Sequence, residues 1–207
     1  MSVDKEKKRP VKELRDQLRR DQIVSAARGC VVRHGFHAAS MGQIAAEAHM
    51  SVGQIYRYFP SKEAIVHAIV ERIVARRLEW MVDRDRDIDF PARFANRRHA
   101  NASEEERSER VLLLEITAEA TRNPAVADIV READRRLRGQ AVALVRGNYP
   151  ELNEEEAAAR VEFVTVLSEG SAFRTITEDV ASPVLLEGLY REVLKKLFPR
   201  MTERGFG

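Results

Sequence analysis

Residues 40–62 read SMGQIAAEAHMSVGQIYRYFPSK, and their spacing sets the architecture expected of the chain. Ser40 is placed to cap a first short helix that keeps Ile44, Ala45 and Ala48 on its inner side. A second capping residue, Ser51, follows within a few positions. A helix that stops near Ala48 and another that starts at Val52 outline a helix-turn-helix.

The second of these helices divides by face. At about 100° per residue, Val52, Ile55 and Phe59 fall on one side and are expected to pack inward. Gly53, Gln54 and Arg57 share the opposite side, with Tyr56 and Tyr58 on the flanks. That outer face suits a DNA major groove: Arg pairs with guanine and Gln with adenine in bidentate fashion, and phenols reach phosphate oxygens. Gly53 costs about 1 kcal/mol of helix propensity, and a close approach of DNA backbone would explain its presence.

The longer segment GFHAASMGQIAAEAHMSVGQIYRYFPSKEAI resembles the DNA-binding region of the TetR family of transcriptional regulators. The resemblance rests on Gly35-Phe36, Ser40-Met41, Ile44-Ala45, the run Ser51-x-Gly53-x-Ile55-Tyr56-x-Tyr58-Phe59, and Ser61-Lys62-Glu63. It implies an all-α fold. Residues 1–62 would form a basic arm and a three-helix DNA-binding domain, and residues 63–207 a helical effector-binding and dimerisation domain. As DNA-binding residues it points to Ser40, Met41, Ser51, Val52, Gly53, Gln54, Tyr56, Arg57, Tyr58 and Lys62. His49 departs from the family pattern, standing in the turn where glycine is usual. That position is expected to need positive φ, which His tolerates better than most residues.

Composition agrees with this outline. A length of 207 residues allows one large domain or two small ones, and 44% hydrophobic residues support a packed core. Few aromatics among many Ala, Glu and Arg favour helices. Residues 1–62 hold 12 Lys/Arg against 6 Asp/Glu, whereas the remainder holds 23 against 27. A basic first third on a mildly acidic remainder is what a nucleic-acid head on a body with another task would show. Cys30 is the one cysteine, which excludes an intramolecular disulfide. With no apolar run of spanning length and no signal-peptide core in the charged N-terminal stretch, a cytoplasmic protein without membrane contact is expected.

Residues 1–12, polar, basic and interrupted by Pro10, read as a mobile arm. From Leu14 to about His34 a helical period turns Leu14, Leu18, Ile23, Ala27, Cys30 and Val31 toward a core, and Gly35 ends that helix. His34 and His37 flank Gly35 without a third ligand, so no metal site is expected. Ser61 is placed to cap a long helix over about 62–82, with Ile65, Ile69 and Ile73 in one row and Val66, Val70 and Val74 in the next. Residues 83–108 carry the weakest pattern: DRDRDIDF, from Asp83, reads as a charge-alternating loop, and Pro91 starts a short helix at most. Ser103 with Glu106, and Asn153 with Glu156, form capping boxes at the heads of later helices. Pro124 is placed as a first-turn proline between them.

Two features of the body bear on function. Between Ala157 and Phe173 a helix is apolar on nearly every side, and the last helix carries a wide stripe. By resemblance these form a dimer interface through Val161, Val164, Leu186, Leu189, Tyr190, Val193, Leu194 and Leu197; a thick monomeric core is the alternative. The second feature is a set of ionisable residues among apolar ones: Glu115, Glu119 and Arg122, then Glu169 and Arg174. They read either as ordinary intrahelical ion pairs or, with Trp80, Phe163, Leu167 and Phe173, as the lining of an effector pocket.

No glycine-rich phosphate loop, nucleophile elbow or metal-spaced His/Cys cluster supports an enzyme or a cofactor. The expectation is a homodimeric transcriptional repressor, bound to a near-palindromic DNA operator and released by a small-molecule effector. A DNA-binding activator or architectural regulator without a ligand is the nearest alternative. A protein-interaction module that no longer reads DNA is a further one.

Overall fold

Phe36, Ile44, Ile55, Ile65 and Ile69, each at most 1% exposed, mark where the N-terminal helices meet. The computed structural model describes residues 3–82, 103–174 and 181–199. Among them, eight helices and no strands are found: α1 (Val3–Ala38), α2 (Met41–Glu47), α3 (Val52–Tyr58), α4 (Lys62–Val82), α5 (Glu104–Ala120), α6 (Pro124–Asn148), α7 (Glu154–Phe173) and α8 (Pro183–Leu197). The fold is all-α. The expected charge-alternating loop from Asp83 and the short helix from Pro91 lie outside the described residues.

The chain forms two compact units. One takes α1, α2, α3, α4 as far as Ile73, and the segment Ser108–Ala133; the other takes the rest of the described chain. In the first, Ile23, Val24, Ala27, Cys30 and Val31 of α1 are buried, as are Ile65, Val66, Ile69, Val70 and Ile73 of α4. Each of the Val and Ile side chains among them contributes about 1.5–3 kcal/mol by leaving water.

Two expectations for α1 are corrected. Residues 3–12 continue the helix rather than forming a loose arm; Lys, Glu and Arg dominate there and are good helix formers. Leu14 and Leu18 stand 63% and 59% exposed instead of in a core. The described core of α1 begins only at Ile23, so the apolar period runs on past what covers it. Gly35 does interrupt the helix, with φ 79° and ψ 161°, a combination open essentially to glycine alone.

The predicted helix starts are realised as hydrogen bonds. Ser61 Oγ accepts from the Ala64 amide at 3.2 Å. Ser103 and Glu106 bond each other's backbone amides at 3.1 Å in both directions, and Asn153 and Glu156 do so at 2.9 Å. Asn123 Oδ1 accepts from the Ala125 amide at 3.2 Å and so caps α6 directly before Pro124.

The second unit closes around Val145, Tyr149, Leu152, Ala157, Val161, Leu194 and Phe198, which join α6, α7 and α8. Tyr149 and Phe198 meet at 5.9 Å between ring centroids. Arg160 of α7 donates to the Leu197 carbonyl at 2.6 Å, satisfying an acceptor at the end of α8. No described helix is long and apolar enough to cross a membrane.

Candidate nucleic-acid interface

Helix α2 begins at a reciprocal cap: Ser40 Oγ accepts from the Gln43 amide at 3.2 Å, and Gln43 Oε1 accepts from the Ser40 amide at 2.9 Å. Its other end is a six-residue turn. The Met50 amide reaches the Ala45 carbonyl at 2.9 Å and the His49 amide reaches that of Ala46 at 3.1 Å. That pair of bonds defines a Schellman motif, whose left-handed position normally takes glycine. His49 fills it at φ 52°. Gln22 of α1 braces the same end by donating to the Ala48 carbonyl at 2.7 Å, a contact that helical periodicity does not signal.

Helix α3 repeats the device. Ser51 Oγ accepts from the Gln54 amide at 3.2 Å, and Gln54 Oε1 accepts from the Ser51 amide at 2.8 Å. Ile55 at 0% and Phe59 at 3% exposure anchor it, while Gly53, Gln54, Tyr56 and Arg57 are exposed. Val52 is 43% exposed, contrary to the inward face assigned to it. It opens a seven-residue helix, one turn ahead of the anchoring Ile55, and the cover has not yet begun there. Gly53 has open space where a Cβ would stand and does not share the positive φ of Gly35. Nothing inside the described fold therefore requires a glycine at that position.

Besides the capping Ser40 and Ser51, three more of the expected DNA contacts have partners within the protein. Gln54 commits its oxygen to the Ser51 amide, so a bidentate adenine contact would have to displace that bond. Tyr58 is half-buried and its hydroxyl lies 3.4 Å from Asp16 Oδ1 on α1. Lys62 is half-buried too: its Nζ donates to the Phe36 carbonyl at 2.9 Å and lies 4.3 Å from the Phe36 ring centroid. Arg57 and Tyr56 remain on the open face, and Met41 is half-buried at the start of α2. Arg20 covers Phe59 from outside, 4.9 Å above its ring.

The residues assigned to an effector pocket fall in both units. Glu119 is 7% exposed; its Oε2 stands 2.5 Å from Arg122 Nη2, and its Oε1 accepts from Asn123 Nδ2 at 3.3 Å. That is the intrahelical pairing expected as one alternative. Glu115 instead accepts the Phe36 amide at 2.8 Å, a partner 79 positions away in sequence. In the second unit, Phe163 and Phe173 are 45% and 57% exposed, Leu167 is half-buried and Arg174 is exposed. Desolvation raises the Glu169 carboxyl above its usual range, Asp134 and Glu162 add to this, and Arg77 opposes it. Trp80 belongs to α4, with its side chain outside the described set.

Of the expected dimer residues, Val161 and Leu194 are buried in the chain's own core, with Val164, Tyr190 and Leu197 packed against it. Leu189 at 59% and Val193 at 37% exposure are not spent in this way. Val184 and Leu185, 76% and 70% exposed, extend that apolar surface and were missed because they precede the regular stripe. A shallow depression beside Cys30 is lined by His34, Gln43, Glu47 and His49. Among the described residues, no three metal-capable side chains converge.

Two short capped helices, with the second presenting an open polar face, define a helix-turn-helix DNA-binding protein. Residues 23–69 match the family described as bacterial regulatory proteins, tetR family, and residues 98–199 match the BetI-type transcriptional repressor C-terminal family. The chain is 34% identical over 119 residues to the HTH-type transcriptional regulator UidR of Escherichia coli K12. That match takes in 56% of this chain and 58% of UidR, somewhat over half the length of the curated relative. Salmonella enterica GusR superposes with a TM-score of 0.66 at 27% identity, over 87% of this chain and 95% of GusR. The multidrug binding protein EbrR, complexed with malachite green, has the same fold at 20% identity and a TM-score of 0.61, over 87% and 98% of the two chains. The chain belongs to the TetR family of transcriptional regulators.

Proposed function

We propose that this regulator is a homodimeric repressor that reads a near-palindromic DNA operator through α3 and leaves it when a small molecule binds the C-terminal helices. One observation carries the DNA reading: α3 is anchored by Ile55 and Phe59 while its other face, with Gly53, Tyr56 and Arg57, is left open. A helix exposed in this way can enter a major groove with its first turns facing base edges. The net positive charge of residues 1–62 supplies the sequence-independent attraction to phosphate.

The dimer is supported by the apolar surface left on α7 and α8. Phe163, Val166, Val184, Leu185 and Leu189 are each more than two-fifths exposed. Pairing two copies through such a surface would be isologous and would place two recognition helices about a two-fold axis, which calls for a palindromic site.

Release by an effector requires that the ligand favour a state in which the two recognition helices no longer fit their grooves. EbrR, a protein of this fold, is described as multidrug binding. The test is selection of genomic DNA fragments by the purified protein, repeated with a compound library as releasers. Enrichment of one palindromic sequence, displaced by a compound, is the expected result. A protein that enriches no sequence at low salt would overturn the DNA reading, and one displaced by no compound would overturn the effector.

A further inference from the structure

Both backbone polar groups of Phe36 are held by charged side chains from other elements. Its N–H donates to Glu115 Oε2 at 2.8 Å, and its carbonyl accepts from Lys62 Nζ at 2.9 Å. Phe36 itself is 1% exposed. Lys62 is the first residue of α4, a short connection after the recognition helix, and Glu115 lies on α5. The neighbouring Gly35 is shaped around this contact: a Cβ there would stand 3.3 Å from Glu115 Oε2. Ser40, four residues beyond Phe36, opens α2. Through Phe36, then, the exit of α1 and the approach to α2 are tied to the start of α4 and the middle of α5.

Backbone groups at such a turn have no helical partners and must be paired when buried. Bonds to ionised partners are the stronger kind. We propose that Glu115 and Lys62 are positioning residues that clamp Phe36 and thereby hold the recognition helix in place, so that a carboxylate on α5 strengthens DNA binding. This rests on the DNA reading proposed above. It also gives the segment matching the repressor C-terminal family a direct hold on the turn that leads into the helix-turn-helix.

The clamp predicts effects that charge alone does not. Removing an acid from a protein that binds a polyanion should, by electrostatics alone, strengthen binding or leave it unchanged. Loss of the clamp should weaken it. If Lys62 were a phosphate contact, its removal would lower the salt slope by about one per protomer; as a clamp it should lower affinity at unchanged slope.

The experiment uses full-length protein and a labelled DNA fragment selected by the wild type, with affinity read by anisotropy at several salt concentrations. Glu115→Ala is expected to bind about tenfold more weakly, equivalent to about 1.4 kcal/mol, and Glu115→Gln, whose amide oxygen still accepts the Phe36 amide, to recover most of the loss. Glu115→Asp keeps the charge but withdraws it by one methylene, and should lose affinity as Glu115→Ala does; it decides the matter if the alanine variant fails to fold. Amide exchange at Phe36 should rise in the variants that bind weakly. Undiminished binding by Glu115→Asp, or a slope lowered by about one per protomer in Lys62→Met, would overturn the proposal. A wild type that selects no fragment would overturn the DNA reading itself.

Discussion

Gly53→Ala should make this protein more stable and a poorer DNA binder. Gly53 is the second residue of α3, and a methyl group placed on it meets no atom within 4 Å. Its backbone shows none of the positive φ that would demand glycine. Replacing glycine by alanine in a helix gains about 0.5–1 kcal/mol, largely by narrowing the unfolded ensemble. Position in the first turn puts the gain at the lower end of that range. For a chain of this size the melting temperature should rise by about 1–2 °C. On the open face the same methyl stands where a groove wall would approach. A displacement there lengthens several phosphate and base contacts together, and a loss of about 1–3 kcal/mol per half-site is expected, on the scale of one bidentate base contact. Thermal melts and anisotropy titrations on one preparation measure both effects. A variant that is more stable and binds DNA as tightly as the wild type would refute the close approach, and a destabilised variant would refute the account of the local backbone.

Leu189→Glu and Val193→Glu, on the exposed part of the α8 stripe, should convert a dimer to a folded monomer by burying an unpaired carboxylate in an apolar seam; light scattering checks this, and a dimer retained by both variants would count against the interface. Burial pushes the Cys30 thiol up, Glu47 adds to the shift and Arg33 opposes it, so at pH 8 iodoacetamide should modify the native protein far more slowly than the protein in urea. Glu63 is held below its ordinary value of 4.5, first by its own backbone amide and then by Ser61 and Asn123. A group depressed in the folded state stabilises above its unfolded value and loses that contribution as pH falls through the folded one. Melting temperature should therefore fall as the medium is acidified below about pH 4.5, and less steeply in Glu63→Gln.

What could be read in the sequence was local. The serine and asparagine caps, the aliphatic rows of α4 and the left-handed turn at His49 all depend on residues within one or two helical turns, and they were placed correctly. Gly35 signalled a break in the same way. The misplacements came from cover, which periodicity does not report. Leu14 and Leu18 continue the α1 stripe past the point where the core begins, and Val52 lies on the right side of its helix but ahead of its anchor. Glu115 was the least legible residue. Its spacing to Glu119 and Arg122 suggested a helical surface pair, whereas its partner is a backbone amide on α1. Lys62 was assigned to DNA binding by resemblance, and only the fold shows its ammonium on the Phe36 carbonyl.

Whether the open face of α3 reads bases decides the proposed function. Arg57 is the exposed cation on that face. The direct measurement is binding of wild type and Arg57→Ala to a randomised operator library, with enrichment counted at each base position. Arg57→Ala should lose preference at one position in each half-site, by about 1–3 kcal/mol, and keep the rest of the sequence preference. A uniform loss at every position, or an unchanged profile, would show that α3 does not read DNA through this face.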